Sequence, residues 1–450
     1  MVGVTETPPG YVALIRLAVP VIVANAAAPL LGLADTAVIG HTGDAAAMGA
    51  IALGTLIFSF LSWGFAFLRM GTTGFVAQAH GAGDRSAVRA IFARALITAI
   101  AIGALLILLQ WPLRSFALAV FGATPAVEQD VALYFQARIW SAPATLGLYV
   151  LLGTLIGLGR MRALLALQIL LNGLNLILDL WFVLGLGWGV RGVALGTVLA
   201  EWSAFAVGLS VVLRLVRPRP ADGVPTWSWR DIFVLQQWQR MVSTNTDILW
   251  RTLALLAGFA WFTNHGARFG DATLAANHIL LQLTTLSAFF LDGFAFVLEA
   301  EVGHAAGAGH VNRFRVTVWR STLLAGATAA LLALAVAGLG PWFVQRLTTI
   351  ATVRELALAY LPWAALYVVC SFPAFQLDGI FVGTSASRPM RNATLMALLT
   401  FLGATWLAVD RWGNDGLWLA FVGFVIARGV FLGAHLPRLT RRLRLEAVEA

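Results

Sequence analysis

Apolar runs follow one another along the whole chain, separated by short polar breaks, and inside them the apolar positions do not alternate. A run such as ALITAIAIGALLILLQW (95–111) has no two-residue period, so it reads as a helix rather than as a strand of a membrane barrel. Each run reaches the roughly 20 residues that a helix needs to cross about 30 Å of hydrocarbon. The pattern predicts twelve helices, near 11–40, 45–78, 87–111, 127–158, 161–185, 190–216, 238–264, 272–303, 316–347, 354–386, 390–410 and 416–437. The opening MVGVTETPPGYVALIRLAVP lacks the basic flank and small-residue cleavage site of a signal peptide, so the first helix is expected to be retained.

The polar breaks are unequal. RLVRPRPADGVPTWSWRD (214–231) is the longest, is proline-rich and lies almost at mid-chain, which makes it a linker between two sets of six helices. The expected division is an N-terminal six-helix lobe over 1–216, a cytoplasmic linker over 217–237, a C-terminal six-helix lobe over 238–437 and a basic cytoplasmic tail over 438–450. The halves match weakly but in order. WGFAFLRMGTTGFVAQAHGAGD (63–84) and DGFAFVLEAEVGHAAGAGH (292–310) share GFAF and GAG at the end of the second helix of each half. The exit of helix ten, VGTSASRPMRNA, is likewise matched by IGLGRMRALL after helix four. Six helices per half leave both halves in one orientation, so the repeats are parallel, related by a pseudo-two-fold axis along the membrane normal. Two similar bundles of this kind make a cleft at their interface, the arrangement from which alternating access follows.

Composition sharpens this to an all-α polytopic membrane protein. Of 450 residues 60% are hydrophobic and 11% charged, against the roughly one quarter charged of a soluble domain. Every basic residue is arginine, and the formal charge is +9. With the N-terminus inside, the inner loops and tail hold Arg85, Arg89, Arg160, Arg162, Arg217, Arg219, Arg230, Arg313, Arg315, Arg388, Arg391, Arg438, Arg441, Arg442 and Arg444. The outer loops then hold only Arg114, Arg191, Arg268, Arg346, Arg354 and Arg411, so the positive-inside rule places both termini in the cytoplasm. Anionic lipid heads account for the basic excess, and no nucleic-acid partner is implied. The single cysteine, Cys370, sits in an apolar run, excludes an internal disulfide and reads as a buried spacer.

Acids inside the apolar runs carry the candidate chemistry. Asp35 lies about five residues from the outer end of helix one. In helix five NGLNLILD spaces Asn172, Asn175 and Asp179 at i, i+3 and i+7 on one face, and Thr197 lies in helix six. At 1.5 Å per residue these groups share a layer roughly 8–11 Å below the outer surface. A carboxylate there costs about 2.5–3.5 kcal/mol on insertion scales, so it faces a bundle interior or a water-filled cavity. Burial and a second nearby acid both favour the protonated form, which suits a proton site; the same oxygens, with the Asn and Thr groups, also suit Na⁺. Pro20 lies mid-helix fifteen residues before Asp35, with Pro29 closer, and marks a candidate bend. In the second half Asp247 and Arg251, at i and i+4, are expected to neutralise one another. Asp292 and Asp378 lack such a local partner and are candidates for the cleft. Glu299, Glu301 and His304 fall at a helix exit where solvation is cheap and are read as unremarkable.

LAVP…LADTAVIG, Asn175-x-x-x-Asp179, the glycine-rich exits and FQLDGIFVGTSASRPMRNA together resemble the multidrug and toxic compound extrusion (MATE) transporters, and within them the branch of DNA-damage-inducible protein F. The likeness covers nearly the whole chain; DTAVIG and LDGIFVG are its more specific parts. It implies a V-shaped pair of bundles, N-lobe and C-lobe, working as an antiporter that exports organic cations across the inner membrane of a bacterial cell. Carried over by residue, the cation site is Asp35, Asn175, Asp179 and Thr197, with Pro20 at the bend and Asp378 as the second-lobe acid. Leu31 stands where some relatives place a tyrosine, and helix seven lacks the acid expected of the Na⁺-coupled branch. Both departures favour H⁺ as coupling ion. No cofactor is implied, and a monomer in contact with membrane lipids is expected.

Other function classes fit less well. A lipid-linked saccharide flippase of related architecture would line its cavity with several basic groups for a diphosphate, whereas the intramembrane bases here are Arg69 and Arg251, with Arg138 and Arg428 near helix ends. An intramembrane enzyme finds no support in EAEVGHAAGAGH, which is not H-E-x-x-H and has no second motif across the bundle. No phosphate-cradling loop with lysine is present, so the chain itself does not hydrolyse ATP. A channel filter built of rings of like groups does not fit two unequal halves.

Overall fold

Almost every described residue is helical, as insertion in hydrocarbon demands, because only a helix satisfies each backbone polar group within its own segment. The structure, a computed structural model, describes residues 6–40, 45–121, 124–217 and 229–449; the side chains of 28–40, 45, 46, 120, 121, 126 and 446–449 lie outside that description. In chain order the helices are α1 (Tyr11–Gly40), α2 (Ala45–Gly64), α3 (Phe67–Gly81), α4 (Arg85–Leu108), α5 (Gln110–Phe121), α6 (Pro125–Arg138), α7 (Ala142–Gly157), α8 (Met161–Asp179) and α9 (Gly189–Leu215). They continue as α10 (Trp229–Ile232), α11 (Leu235–Ala267), α12 (Asp271–Gly307), α13 (Val311–Leu347), α14 (Ala351–Gly383), α15 (Ser387–Gly433) and α16 (Leu436–Glu449).

Nine helical stretches among the described residues are long and apolar enough to cross a membrane. The last of them, Ser387–Leu445, holds two crossings, because Gly413 at φ +55° takes the chain out of helical geometry. With α1 and α11 the expected twelve long helices are present. Local sequence explains the interruptions. Pro143, in the first turn of α7, lacks an N–H, and a 3₁₀ turn at Ile139–Ser141 joins α6 to α7 within one crossing. Asp84 caps α4, its carboxylate accepting from the Ala87 N–H at 2.9 Å.

The chain divides into two compact units. One comprises Met1–Ile22, His80–Gly83 and Val242–Ala450; the other comprises Val23–Ala79 and Asp84–Met241. Inside the first, Phe262, Phe401, Trp418, Phe421 and Phe424 form a fully buried aromatic core, with Tyr367 stacked on Phe421 at 4.7 Å. Asn277 and Asn414 exchange amide hydrogen bonds of 2.8 and 3.1 Å and Trp418 Nε1 donates to Asn277 Oδ1 at 2.9 Å, which ties α12 to the chain beyond Gly413.

Both units use the same close packing of small residues. A Cβ on Gly153 or Gly157 of α7 would meet the carbonyl oxygens of Arg69 or Thr73 of α3 at 2.5 and 2.9 Å. A Cβ on Gly379 or Gly383 of α14 would meet those of Ala295 or Glu299 of α12 at 2.7 and 2.4 Å. These are small-xxx-small contacts, which let helix backbones approach where no hydrophobic force drives them together. All four pairs, and GAG at 81–83 and 307–309, lie at one constant offset between the halves. GFAF does not. Phe65 and Ala66 form the turn between α2 and α3, whereas Phe294 and Ala295 lie inside α12, so that sequence match is out of structural register by three residues.

Candidate ion-coupling site

The polar group of the N-terminal half is built by α8 and α9 within one unit. Asn175 and Asp179, one turn apart on α8, are 1% and 0% exposed, and Asn175 Nδ2 donates to Asp179 Oδ2 at 2.6 Å. The same Nδ2 lies 3.4 Å from Thr197 Oγ1 on α9, while that hydroxyl donates to the Val193 carbonyl at 2.9 Å. Gly196 makes the approach of the two helices possible, since a Cβ there would lie 2.2 Å from Asp179 Oδ1. Directly after Asp179 the helix widens into a π turn over Leu180–Gly185, and Leu186 N–H bonds the Trp181 carbonyl. Such widened turns recur at functional sites because they shift the hydrogen-bond register by one residue.

Asn175, Asp179 and Thr197 are therefore one hydrogen-bonded group. Asn172 shares the helix but not the network: it is half-buried, and its Nδ2 has no hydrogen-bond partner among the described residues. The Asp35 side chain lies outside the described residues, although the backbone of α1 is helical through it and through Pro20 and Pro29.

In the C-terminal half the expected Asp247–Arg251 pair does not form. Asp247, on α11, accepts from Arg391 Nη1 at 2.5 Å and from Ser387 Oγ at 2.8 Å, both on α15. Arg251 Nη2 donates to Asp378 on α14, and Arg428 Nη2 of α15 donates to the same carboxylate oxygen at 2.8 Å. Helical i,i+4 pairs contribute only about 0.3–0.5 kcal/mol, and a buried charge needs more of its valences satisfied than one neighbour on the same helix provides. Asp378, expected as a cleft acid, is thus held between two buried guanidiniums, and this cluster carries a net positive charge. Asp292 is half-buried in α12.

Two further readings change. Glu299, Glu301 and His304 are buried rather than solvated, and Glu301 accepts from Arg313 Nη2 at 2.6 Å. Arg138 and Glu201 make a buried two-point pair, Nη1 to Oε2 at 2.9 Å and Nη2 to Oε1 at 2.6 Å, to which the Thr145 hydroxyl also donates. The sequence held the signal for Glu201: it lies one helical turn after Thr197 in an apolar run, as conspicuous an acid as Asp179. No cluster of three or more metal-ligating side chains is present among the described residues.

Comparison with known proteins accords with this architecture. The MatE family model matches residues 20–181 and 254–406. DNA damage-inducible protein F of Escherichia coli (strain K12) is 38% identical over 94% of this chain and 91% of its own length. A probable multidrug resistance protein NorM of Deinococcus radiodurans is 31% identical over 95% of each chain. A solved transporter of the MOP superfamily from Pyrococcus furiosus superposes with a TM-score of 0.87 at 18% identity, covering 98% of this chain and 97% of that one, and so shares the fold. With most of its length matched by the family model and by these relatives, the chain belongs to the MatE family, the multidrug and toxic compound extrusion transporters.

Proposed function

We propose that the protein is an H⁺-coupled antiporter that exports organic, mainly cationic, compounds across the bacterial inner membrane by alternating access, with both termini in the cytoplasm and the monomer as working unit. One observation carries the reading. The fully buried Asp179 carboxylate is held by the carboxamide of Asn175, whereas Glu201, Asp247, Glu301 and Asp378 are held by arginines. Protonating an acid that binds arginine strands a buried cation, at a cost of several kcal/mol. The Asn175 contact serves either state of Asp179, because an amide accepts from a carboxylic acid as readily as it donates to a carboxylate. Among these five acids, then, the change of charge during a cycle falls on Asp179, with Asp35 as its partner and Pro20 as the bend in α1.

Linkage then couples drug and proton: a substrate that prefers one protonation state of the pair must itself be bound differently in the two states. The C-terminal cluster of Arg251, Asp378 and Arg428, with its positive charge, does not offer a cation site, so the preference for cations rests on the N-terminal acids. A flippase is the weaker reading because Arg138 and Arg251, with Arg428, are each already engaged by a carboxylate.

The test is efflux of a lipophilic cationic dye from proteoliposomes under an imposed pH gradient and then an imposed Na⁺ gradient. The pH gradient alone should drive export, and Asp179→Asn should abolish that response while retaining substrate binding. Export driven only by Na⁺, or equal export of a matched anion, overturns the reading.

A further inference from the structure

A second polar site lies well away from Asp179 along the chain. A cavity of about 200 Å³ opens where the ends of α3 and α4 meet the first turns of α11, all within one unit. Its charged lining is two arginines, Arg94 of α4 and Arg240 of α11, joined by Gln78 and Gln237 on a floor that includes Phe75 and Ile91. No acid lines it.

Arg94 is 5% exposed, and among the described residues it makes a single side-chain hydrogen bond, from Nη1 to the Asp231 carbonyl at 2.9 Å. That leaves guanidinium donors without a protein acceptor among the described residues, on a side chain that lines the cavity. Arg240 is held across it by the Phe75 ring, 5.3 Å from the ring centre, which places its charge without consuming its in-plane donors. The volume is more than ten times the ~10–15 Å³ that one water needs. Two guanidiniums, with the Gln237 carboxamide, around such a space are donors for the oxygens of a phosphate, which guanidinium forks bind in two-point fashion; Gln78 Nε2 donates instead to the Gly74 carbonyl at 3.3 Å.

The surroundings identify the source of the phosphate. In the chain just before Gln237 and Arg240, Trp229 and Phe233 stack at 6.1 Å and are 69% and 59% exposed, and Leu235 is 69% exposed. In a membrane protein, exposed aromatics next to arginines mark the level of the lipid headgroups, and basic pockets between helix ends there accept anionic heads. The geometry points to a binding site for the phosphate of an anionic phospholipid, its head between Arg94 and Arg240 and its chains along Phe233 and Leu235. The turn so held, 235–241, is where α11 passes from one unit of the chain to the other.

The site is testable on the full-length protein in detergent, stripped of native lipid, without any transport assay. Thermal unfolding is followed against dioctanoyl phosphatidylglycerol, dioctanoyl phosphatidylcholine and inorganic phosphate. The anionic lipid should bind at least tenfold more tightly than either other probe. The double variant Arg94→Gln, Arg240→Gln should lose at least tenfold in that affinity, and Arg268→Gln, an exposed arginine elsewhere, should change nothing. If the double variant fails to fold, Gln237→Glu puts a carboxylate at an exposed lining position and should give the same loss. Equal binding of phosphatidylglycerol by wild type and the lining variants overturns the site. Inorganic phosphate binding as tightly as the lipid overturns the assignment to a headgroup.

Discussion

At the scale of single residues, the tightest constraint at the site is the space left for Asp179. Gly196 leaves no room for a methyl group against Asp179 Oδ1, and neither α8 nor α9 yields without disturbing the Asn175 contact. Gly196→Ala is therefore expected to destabilise the protein by about 1–3 kcal/mol, the usual cost of overpacking, and to impair coupling. A thermal midpoint equal to wild type would show that the helices separate freely. Asp179→Asn keeps the shape and one hydrogen bond, so its fold should survive and its dependence on the pH gradient should not. Asp35→Asn, under the proposed mechanism, should likewise transport without responding to that gradient; wild-type rate and pH dependence in this variant would reduce Asp35 to a structural polar contact.

Elements impose a different logic in the C-terminal half. Asp378 sits on α14 between arginines of α11 and α15, so one carboxylate joins three helices. Removing it leaves two guanidiniums buried without their counter-charge, and loss of one partner from a buried ionic group costs about 3–5 kcal/mol. Asp378→Asn should accordingly show a lower unfolding midpoint and reduced yield, well beyond Asp179→Asn, which keeps a hydrogen bond to Asn175; equal stability of the two variants would refute the structural role. Helix contacts through glycine are as exacting. Gly383→Val would drive a branched side chain into the Glu299 carbonyl, which a Cβ alone already meets at 2.4 Å. This variant is expected to lose folded protein altogether, as read by size-exclusion of the detergent-solubilised chain.

For the whole molecule, the same glycine packing at one offset in both halves marks the duplication, yet the polar site is not duplicated. By that offset Asn175 and Asp179 correspond to Phe401 and Thr405, and Phe401 belongs to the aromatic core. The coupling chemistry is thus assigned to one half of a symmetric scaffold. The proposed orientation rests on the arginine asymmetry and is open to test with single cysteines on a Cys370→Ser background. A thiol at exposed Arg388 should react with an impermeant reagent only from the cytoplasm, and one at exposed Arg268 only from outside. The reverse pattern would invert the proposed topology.

What the sequence by itself determined are the properties that hydrocarbon imposes locally. Twelve apolar runs must be helices, and Asn175 with Asp179 at i and i+4 must share a face, whatever surrounds them. The Gly413 break fell where two predicted helices met, because glycine adopts a positive φ without a steric cost. Only the tertiary structure decided which charges meet. Arg251 had an acid one turn away and took Asp378 from another helix; Glu201 found Arg138, and three helix ends with no shared motif enclosed the cavity between Arg94 and Arg240. The reason is physical: helix formation is fixed by neighbours in sequence, whereas a buried charge is stabilised by whichever groups the packed backbones bring within about 3 Å, and that choice is made between helices.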